Sequence, residues 1–212
     1  MAAGDVTTGA TVFVIDDDAS VREAIADLLA SVGLEAQAFG SIREFMEGWR
    51  PDAWGCIVLD VRLPGPSGLE FQRGLADSGI RLPLVFISGH SDIAMSVRAM
   101  KLGAVEFLTK PLREQELLDA IQVAIERDLR RQRDDSDLAD LQARFATLTA
   151  REREVFAIVV TGRPNKQIAT ELELSEMTVK VHRGQITRKM QARSLVDLVR
   201  MADRLGISGP RP

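Results

Sequence analysis

Short apolar runs alternate with amphipathic stretches through the first 128 residues. The runs at 11–15, 34–38, 56–60, 82–87 and 105–108 predict strands. The stretches between them, at about 19–32, 41–48, 67–77, 91–101 and 112–127, carry helical spacing. Three of the runs are almost continuously apolar and rich in Val and Ile, as expected of parallel strands covered on both faces. Five such units predict an α/β fold, a doubly wound five-stranded parallel sheet. Ligands of such a sheet sit just outside the carboxyl ends of its strands.

The pattern then changes. Residues 126–144 are densely charged and contain neither Gly nor Pro, so 129–146 is expected to be a helical linker. Leu138, Leu141 and Phe145 keep helical spacing there and form a candidate dimer contact. Beyond 147 every signal is helical. Thr149 and Glu152 form a capping box, and Gly162 with Pro164 ends the helix it opens. A second helix is expected over 165–172, a third from the cap Ser175 to about Met190, and a fourth after Ser194 with Asp197. Four short helices with a tight turn at 173–175 predict an all-α helix-turn-helix domain over 147–207. Residues 1–10 and 206–212 read as loose ends.

Composition removes several classes of function. The chain has 212 residues, 45% hydrophobic and 27% charged, a normal globular balance for two domains. No apolar run approaches the roughly 20 residues that span a bilayer, and the start lacks signal-peptide character. A cytoplasmic protein with no membrane partner is expected. The single Cys56 lies in an apolar run and reads as a buried, inert thiol. Two histidines and one cysteine leave no His/Cys metal site, so any metal must be held by oxygen. There is no Tyr.

Charge divides the chain more sharply. Residues 141–212 hold 13 basic and 7 acidic residues, a net +6, which leaves −10 on residues 1–140. Only the C-terminal part is therefore expected to meet a polyanion.

Polar residues of the first half collect at strand ends. The first strand runs into Asp16, Asp17 and Asp18, the third ends at Asp60, the fourth at Ser88, and the fifth at Lys110 before Pro111. Three close carboxylates repel one another unless a cation balances them, and hard oxygen donors suit Mg²⁺. Lys110 would supply charge to a phosphoryl oxygen and Ser88 a hydrogen bond. Asp60, central in the set, is the expected nucleophile and phosphoacceptor. Asp18 reads only as a helix cap.

Val14-Ile15-Asp16-Asp17-Asp18, Leu59-Asp60-Val61-Arg62-Leu63-Pro64, Ile87-Ser88-Gly89-His90 and Phe107-Leu108-Thr109-Lys110-Pro111 resemble receiver domains of two-component response regulators, over residues 10–128. The resemblance implies a flavodoxin-like sheet and phosphate transfer from a sensor histidine kinase to Asp60. It also implies Mg²⁺ on Asp16, Asp17, Asp60 and the Arg62 backbone carbonyl, a Ser88–Phe107 switch pair, and a cis peptide before Pro111. Phe107 stands where many receivers carry Tyr, so the switch is expected to work by ring packing alone. Arg62 and His90 flank the expected phosphoryl position and are expected to govern its lifetime.

In the second domain the third helix places Val179, Ile186 and Met190 on one face, with Arg183 at its margin. The opposite face carries Lys180, Val181, Gly184, Gln185 and Arg188. Long donors, a small residue and one apolar residue suit a DNA major groove. Asn165 and Lys166, opening the preceding helix, are expected to hold phosphate. These segments resemble the LuxR-type helix-turn-helix, and the two halves together resemble the FixJ/NarL group, closest to the FixJ-like branch. The resemblance implies a phosphorylation-controlled regulator that binds double-stranded promoter DNA and forms a homodimer when phosphorylated. An alternative is a phosphorylation-independent DNA-binding regulator whose receiver binds a ligand or partner. The C-terminal half holds no nucleophile–base pair, and its only histidine, His182, lies on the third helix.

Overall fold

The computed structural model describes residues 9–65, 67–75, 77–89 and 93–207. It divides into two compact units, Met1–Gln132 and Arg133–Pro212.

The first unit alternates β1 Thr11–Ile15, α1 Ala19–Ser31, β2 Glu35–Phe39, α2 Ile42–Gly48, β3 Gly55–Asp60, α3 Gly68–Leu75, β4 Leu84–Ser88, α4 Ile93–Lys101 and β5 Glu106–Thr109. A final helix, α5, spans Glu114–Ala146. The strands form one parallel sheet in the order β2-β1-β3-β4-β5. The chain reverses its direction of travel between β1 and β3, which makes that crevice the binding position of a doubly wound sheet.

Alternation along the central strands fills two cores. Phe13, Ile15, Ile57, Leu59, Leu84 and Phe86 face one side, against Phe45 of α2 and Leu69, Phe71 and Leu75 of α3. Val12, Val14, Cys56, Val58, Val85 and Ile87 face the other, against Ile25 and Leu29 of α1 and Leu117, Ile121 and Ile125 of α5. Burial pushes the Cys56 thiol far up, with Asp128 adding to the effect, so it stays an un-ionised hydrophobe. The two tryptophans straddle the sheet: Trp49, the C-cap of α2, packs on the first core and Trp54 on the second.

The charged segment expected as a separate linker has no break. Residues 129–146 continue α5, a helix of 33 residues. Within it Asp128 is fully buried. Its carboxylate accepts from Gly55 N at 3.1 Å, from Arg131 Nε and Nη2 at 2.8 and 2.7 Å, and from Gln132 Nε2 at 3.1 Å. This network ties α5 to the start of β3. Gly55 leaves no alternative there: at φ +139° a Cβ would stand 2.0 Å from the Thr11 carbonyl oxygen.

In the second unit Leu141 and Phe145 join the core, so they pack within this unit and are not spare for a partner. Leu138 is half-buried. After α5 come α6 Ala150–Val159, α7 Asn165–Glu171, α8 Glu176–Met190 and α9 Leu195–Arg204. The Thr149–Glu152 capping box forms, and Ser175 and Ser194 cap α8 and α9 through Thr178 N and Asp197 N. The core joins Val155, Phe156, Ile168, Val179, Ile186 and Met190. Residues 1–8 and 208–212, most of the two expected loose ends, lie outside the described residues.

Candidate functional site

Four chain segments converge at the crevice between β1 and β3. Asp16 follows β1 and is fully buried; Asp60 ends β3 and is 6% exposed; Asp17 is exposed. One carboxylate oxygen of each lies within 4.8 Å of the others. Lys110, just past β5, reaches across the sheet edge and donates from Nζ to Asp16 Oδ2 at 2.6 Å and to Asp60 Oδ2 at 3.2 Å. Burial disfavours its ammonium, but the bonds to Asp16 and the charge of Asp60 outweigh this and hold Lys110 above its ordinary pKa. It is therefore a permanent cation between two carboxylates.

Backbone contacts fix these groups. Lys110 N donates to the Ser88 carbonyl at 2.8 Å, and the Lys110–Pro111 peptide is cis. Asp16 Oδ1 accepts from Asp18 N at 2.9 Å, while Arg22 Nη1 donates to the Asp16 carbonyl at 2.6 Å. Asp18 caps α1 through Ser20, whose side-chain and backbone donors lower its pKa. Arg62 N donates to Asp60 Oδ1 at 3.3 Å. Gly68 opens α3 hard against this strand end, where a Cβ would lie 3.0 Å from the Asp60 carbonyl oxygen.

Ser88 is buried at the end of β4, and half-buried Phe107 on β5 sets its ring 6.1 Å from that of Phe86 at 42°. His90 lies outside the described residues. The donor set fits a divalent cation: three hard carboxylate oxygens close together, with no soft ligand among them.

In the second unit α8 presents the expected face. Lys180, Val181, Gly184 and Arg188 are exposed and Gln185 is half-buried. Val181 stays 55% exposed, an apolar residue that the core does not use. Arg188 Nη2 donates to Gln185 Oε1 at 2.5 Å. Lys166 is exposed on α7. Asn165 departs from a purely outward role: its side-chain oxygen accepts from Arg183 Nη1 at 2.7 Å. Arg183 thus joins the start of α7 to the middle of α8.

A Cβ on Gly184 meets no atom within 4 Å, so protein packing does not require glycine there. Gly184→Ala is expected to stabilise the second unit by ~1 kcal/mol, measured as a higher Tm. A concurrent loss of DNA affinity would show that the space is needed by the groove.

Among the contacts that escaped sequence reasoning, two bear on the residues around these sites. Arg22 is one, because nothing local announces its reach to Asp16. The other is Glu152, legible only as a cap, which also accepts from Lys189 Nζ of α8 at 2.6 Å while 5% exposed. Burial opposes its charge, yet the Lys189 and Thr149 bonds prevail and its pKa is lowered. A depressed carboxylate stabilises above its ordinary range and loses that contribution as pH falls through the folded value. The stability gap between the wild type and Glu152→Gln is therefore expected to be full at neutral pH. It should narrow in acid, below the ordinary glutamate range, in urea titrations of the two proteins. A gap independent of pH would contradict the ion pair.

An acid-lined parallel sheet carrying a half-buried lysine, joined to a helix-turn-helix, defines a DNA-binding transcription regulator of the two-component type. The chain belongs to the response regulators: residues 12–122 match the response regulator receiver domain family, and residues 146–202 match the luxR family of bacterial regulatory proteins. It is 53% identical to nodulation protein W of Bradyrhizobium diazoefficiens, over 96% of this chain and 90% of that one. It is 42% identical to the transcriptional regulatory protein FixJ of Rhizobium meliloti, over 92% of this chain and 96% of that one. Among solved structures, the response regulator StyR matches with a TM-score of 0.81 at 46% identity, covering 92% of this chain and 99% of that one. Its relatives are thus FixJ-like regulators, a family of regulators rather than enzymes.

Proposed function

We propose that this chain is a phosphorylation-controlled transcription regulator in which Asp60 is the phosphoacceptor. The observation that carries the reading is the Lys110 ammonium held between Asp16 and Asp60. An Asp60 carboxylate oxygen attacks the phosphorus of a phosphohistidine on a sensor histidine kinase. The phosphorus–nitrogen bond breaks, the imidazole leaves, and an acyl phosphate forms. Lys110 then pairs with a phosphoryl oxygen in place of Asp60. Mg²⁺, held by Asp16, Asp17, Asp60 and the Arg62 carbonyl, supplies charge neutralisation for the phosphoryl oxygens. Ser88 moves toward the phosphoryl group, and the Phe107 ring follows it inward. Arg62 and His90 limit water access to the acyl phosphate.

The domains of this reading are a receiver at 10–128, a helical linker at 129–146 and a DNA-binding domain at 147–207. Phosphorylation drives two receivers to pair. The α4 face supports this, since Ile93, Val97 and Met100 are 80%, 48% and 43% exposed. Lys180, Val181, Gly184, Gln185 and Arg188 of each copy then meet a half-site of promoter DNA, with Asn165 and Lys166 on its phosphates. The expected location is the cytoplasm; no described helix is long and apolar enough to cross a membrane.

Selection of bound sites from a random DNA pool, with and without acetyl phosphate, tests the whole scheme. The expected result is one enriched, pseudo-palindromic site bound more tightly after phosphorylation. Stoichiometric phosphorylation that leaves the affinity unchanged would favour the alternative, in which the receiver answers to a ligand or partner. Chelation with EDTA is expected to stop phosphoryl uptake and excess Mg²⁺ to restore it, read by intact-protein mass spectrometry.

A further inference from the structure

The outward side of α8 carries two large apolar residues that the core does not use. At ~100° per residue, Met177, Val181, Gly184 and Arg188 fall at positions i, i+4, i+7 and i+11 and share one line along the helix. Val179, Ile186 and Met190, fully buried, lie on the opposite side. The line is therefore the part of α8 that points farthest from the core. On it Met177 is 68% exposed and Val181 55%.

A helix that faced only water would carry polar residues along that line. Here the order is apolar, apolar, glycine, cation. Gly184 leaves open space, since a Cβ there meets no atom within 4 Å. One exposed apolar residue is ordinary on a protein surface. Two in succession directly opposite the core, with the cations Lys180 and Arg188 beside them, fit a partner that is apolar in places and anionic around them. The DNA major groove is such a partner: phosphates border it, and each thymine projects a 5-methyl group into it. The place along the helix agrees. Met177 is the second residue of α8 and Val181 lies one turn further, and the N-terminal residues of a recognition helix meet base edges.

From these observations we infer that Met177 is a specificity-determining residue. With Val181 it selects half-sites that carry two thymine 5-methyl groups. Four residues advance the helix by about 6 Å, so the two thymines stand about two base-pair steps apart. The unbranched, polarizable thioether of Met177 lies against one methyl and the Val181 side chain against the other. The inference rests on α8 being the recognition helix and adds the base that its first two turns prefer.

The test begins with the site that the full chain enriches from a random DNA pool. Each thymine of that site is exchanged singly for deoxyuridine, which keeps the base pairing and lacks only the methyl. Exchange at two half-site positions should weaken binding ~4-fold each, the contribution of one buried methyl group. Met177→Ala should abolish the preference for thymine over deoxyuridine at one of these positions and keep it at the other. Val181→Ala should do the reverse, and Met177→Leu should retain both preferences. A merely structural role for Met177 would lower affinity for the thymine and deoxyuridine sites alike and leave their ratio intact, which would overturn the inference. Deoxyuridine that is neutral at every position would overturn it too. If Lys180→Ala and Arg188→Ala weaken binding in either case, α8 remains the recognition helix and only this inference falls. If no site is enriched, or if those two variants bind as the wild type does, the reading of α8 falls and this inference with it.

Discussion

Asp60→Asn is expected to take up no phosphoryl group from acetyl phosphate, with uptake reduced at least ~100-fold by loss of the nucleophile. The amide keeps the side chain's shape and the oxygen that accepts from Arg62 N. It removes one of the two charges facing Lys110, and Lys110 retains its shorter bond to Asp16 at 2.6 Å. Folding should therefore change by no more than ~1 kcal/mol, since no buried charge is left unpaired. DNA binding without phosphorylation should match the wild type, and the gain in affinity produced by acetyl phosphate should disappear. Intact-protein mass spectrometry and a DNA titration on one preparation measure both. Full phosphoryl incorporation in the variant would place the acceptor elsewhere and sink the assignment.

Replacing both Lys180 and Arg188 by Ala is expected to give the second large effect. Each residue is exposed on α8 and contributes little to the core. Losing a base-edge contact costs about 1–3 kcal/mol and losing a phosphate contact lowers the salt slope by about one. The double variant should therefore bind the selected site ~100-fold more weakly, with a shallower dependence on salt. Arg200→Ala on α9 removes an equally exposed charge from the same unit and should have a much smaller effect. If that control lost as much affinity, the recognition surface would lie outside α8.

The receiver's sheet was readable because its strands are covered on both sides. β1 and β3 show this as unbroken apolar runs, and their observed limits fall within a residue of the expected ones. β2 was less distinct: Glu35-Ala36-Gln37-Ala38-Phe39 is an edge strand with exposed positions, and it lies one residue later than its hydrophobic pattern suggested. The helix ends of the second unit were legible from their caps. The continuity of α5 was harder, because a shift from amphipathic to charged composition suggests a boundary where the backbone has none.

The site divides in the same way. Asp16, Asp17, Asp60, Ser88 and Lys110 could be placed at one sheet edge by topology alone. That Lys110 touches Asp16 across 94 positions of sequence could not, since it depends on a side-chain trajectory. Asp128 was hidden for the opposite reason: it sits in a run of charges that looks entirely solvated, yet its carboxylate is buried. Arg183 looked like a marginal residue of α8 because its partner, Asn165, belongs to another helix.

The positions of Trp49 and Trp54 give the protein a convenient asymmetry for spectroscopy. With no Tyr in the chain, these two indoles are its main ultraviolet fluorophores, and both belong to the first unit. Because they pack on opposite cores, single Trp→Phe variants would let fluorescence follow each side of the sheet separately. The helix-turn-helix unit has no such fluorophore and unfolds unseen in the same experiment. Far-ultraviolet circular dichroism, recorded beside fluorescence during one denaturant titration, would then expose any difference in stability between the two units as two non-coincident curves.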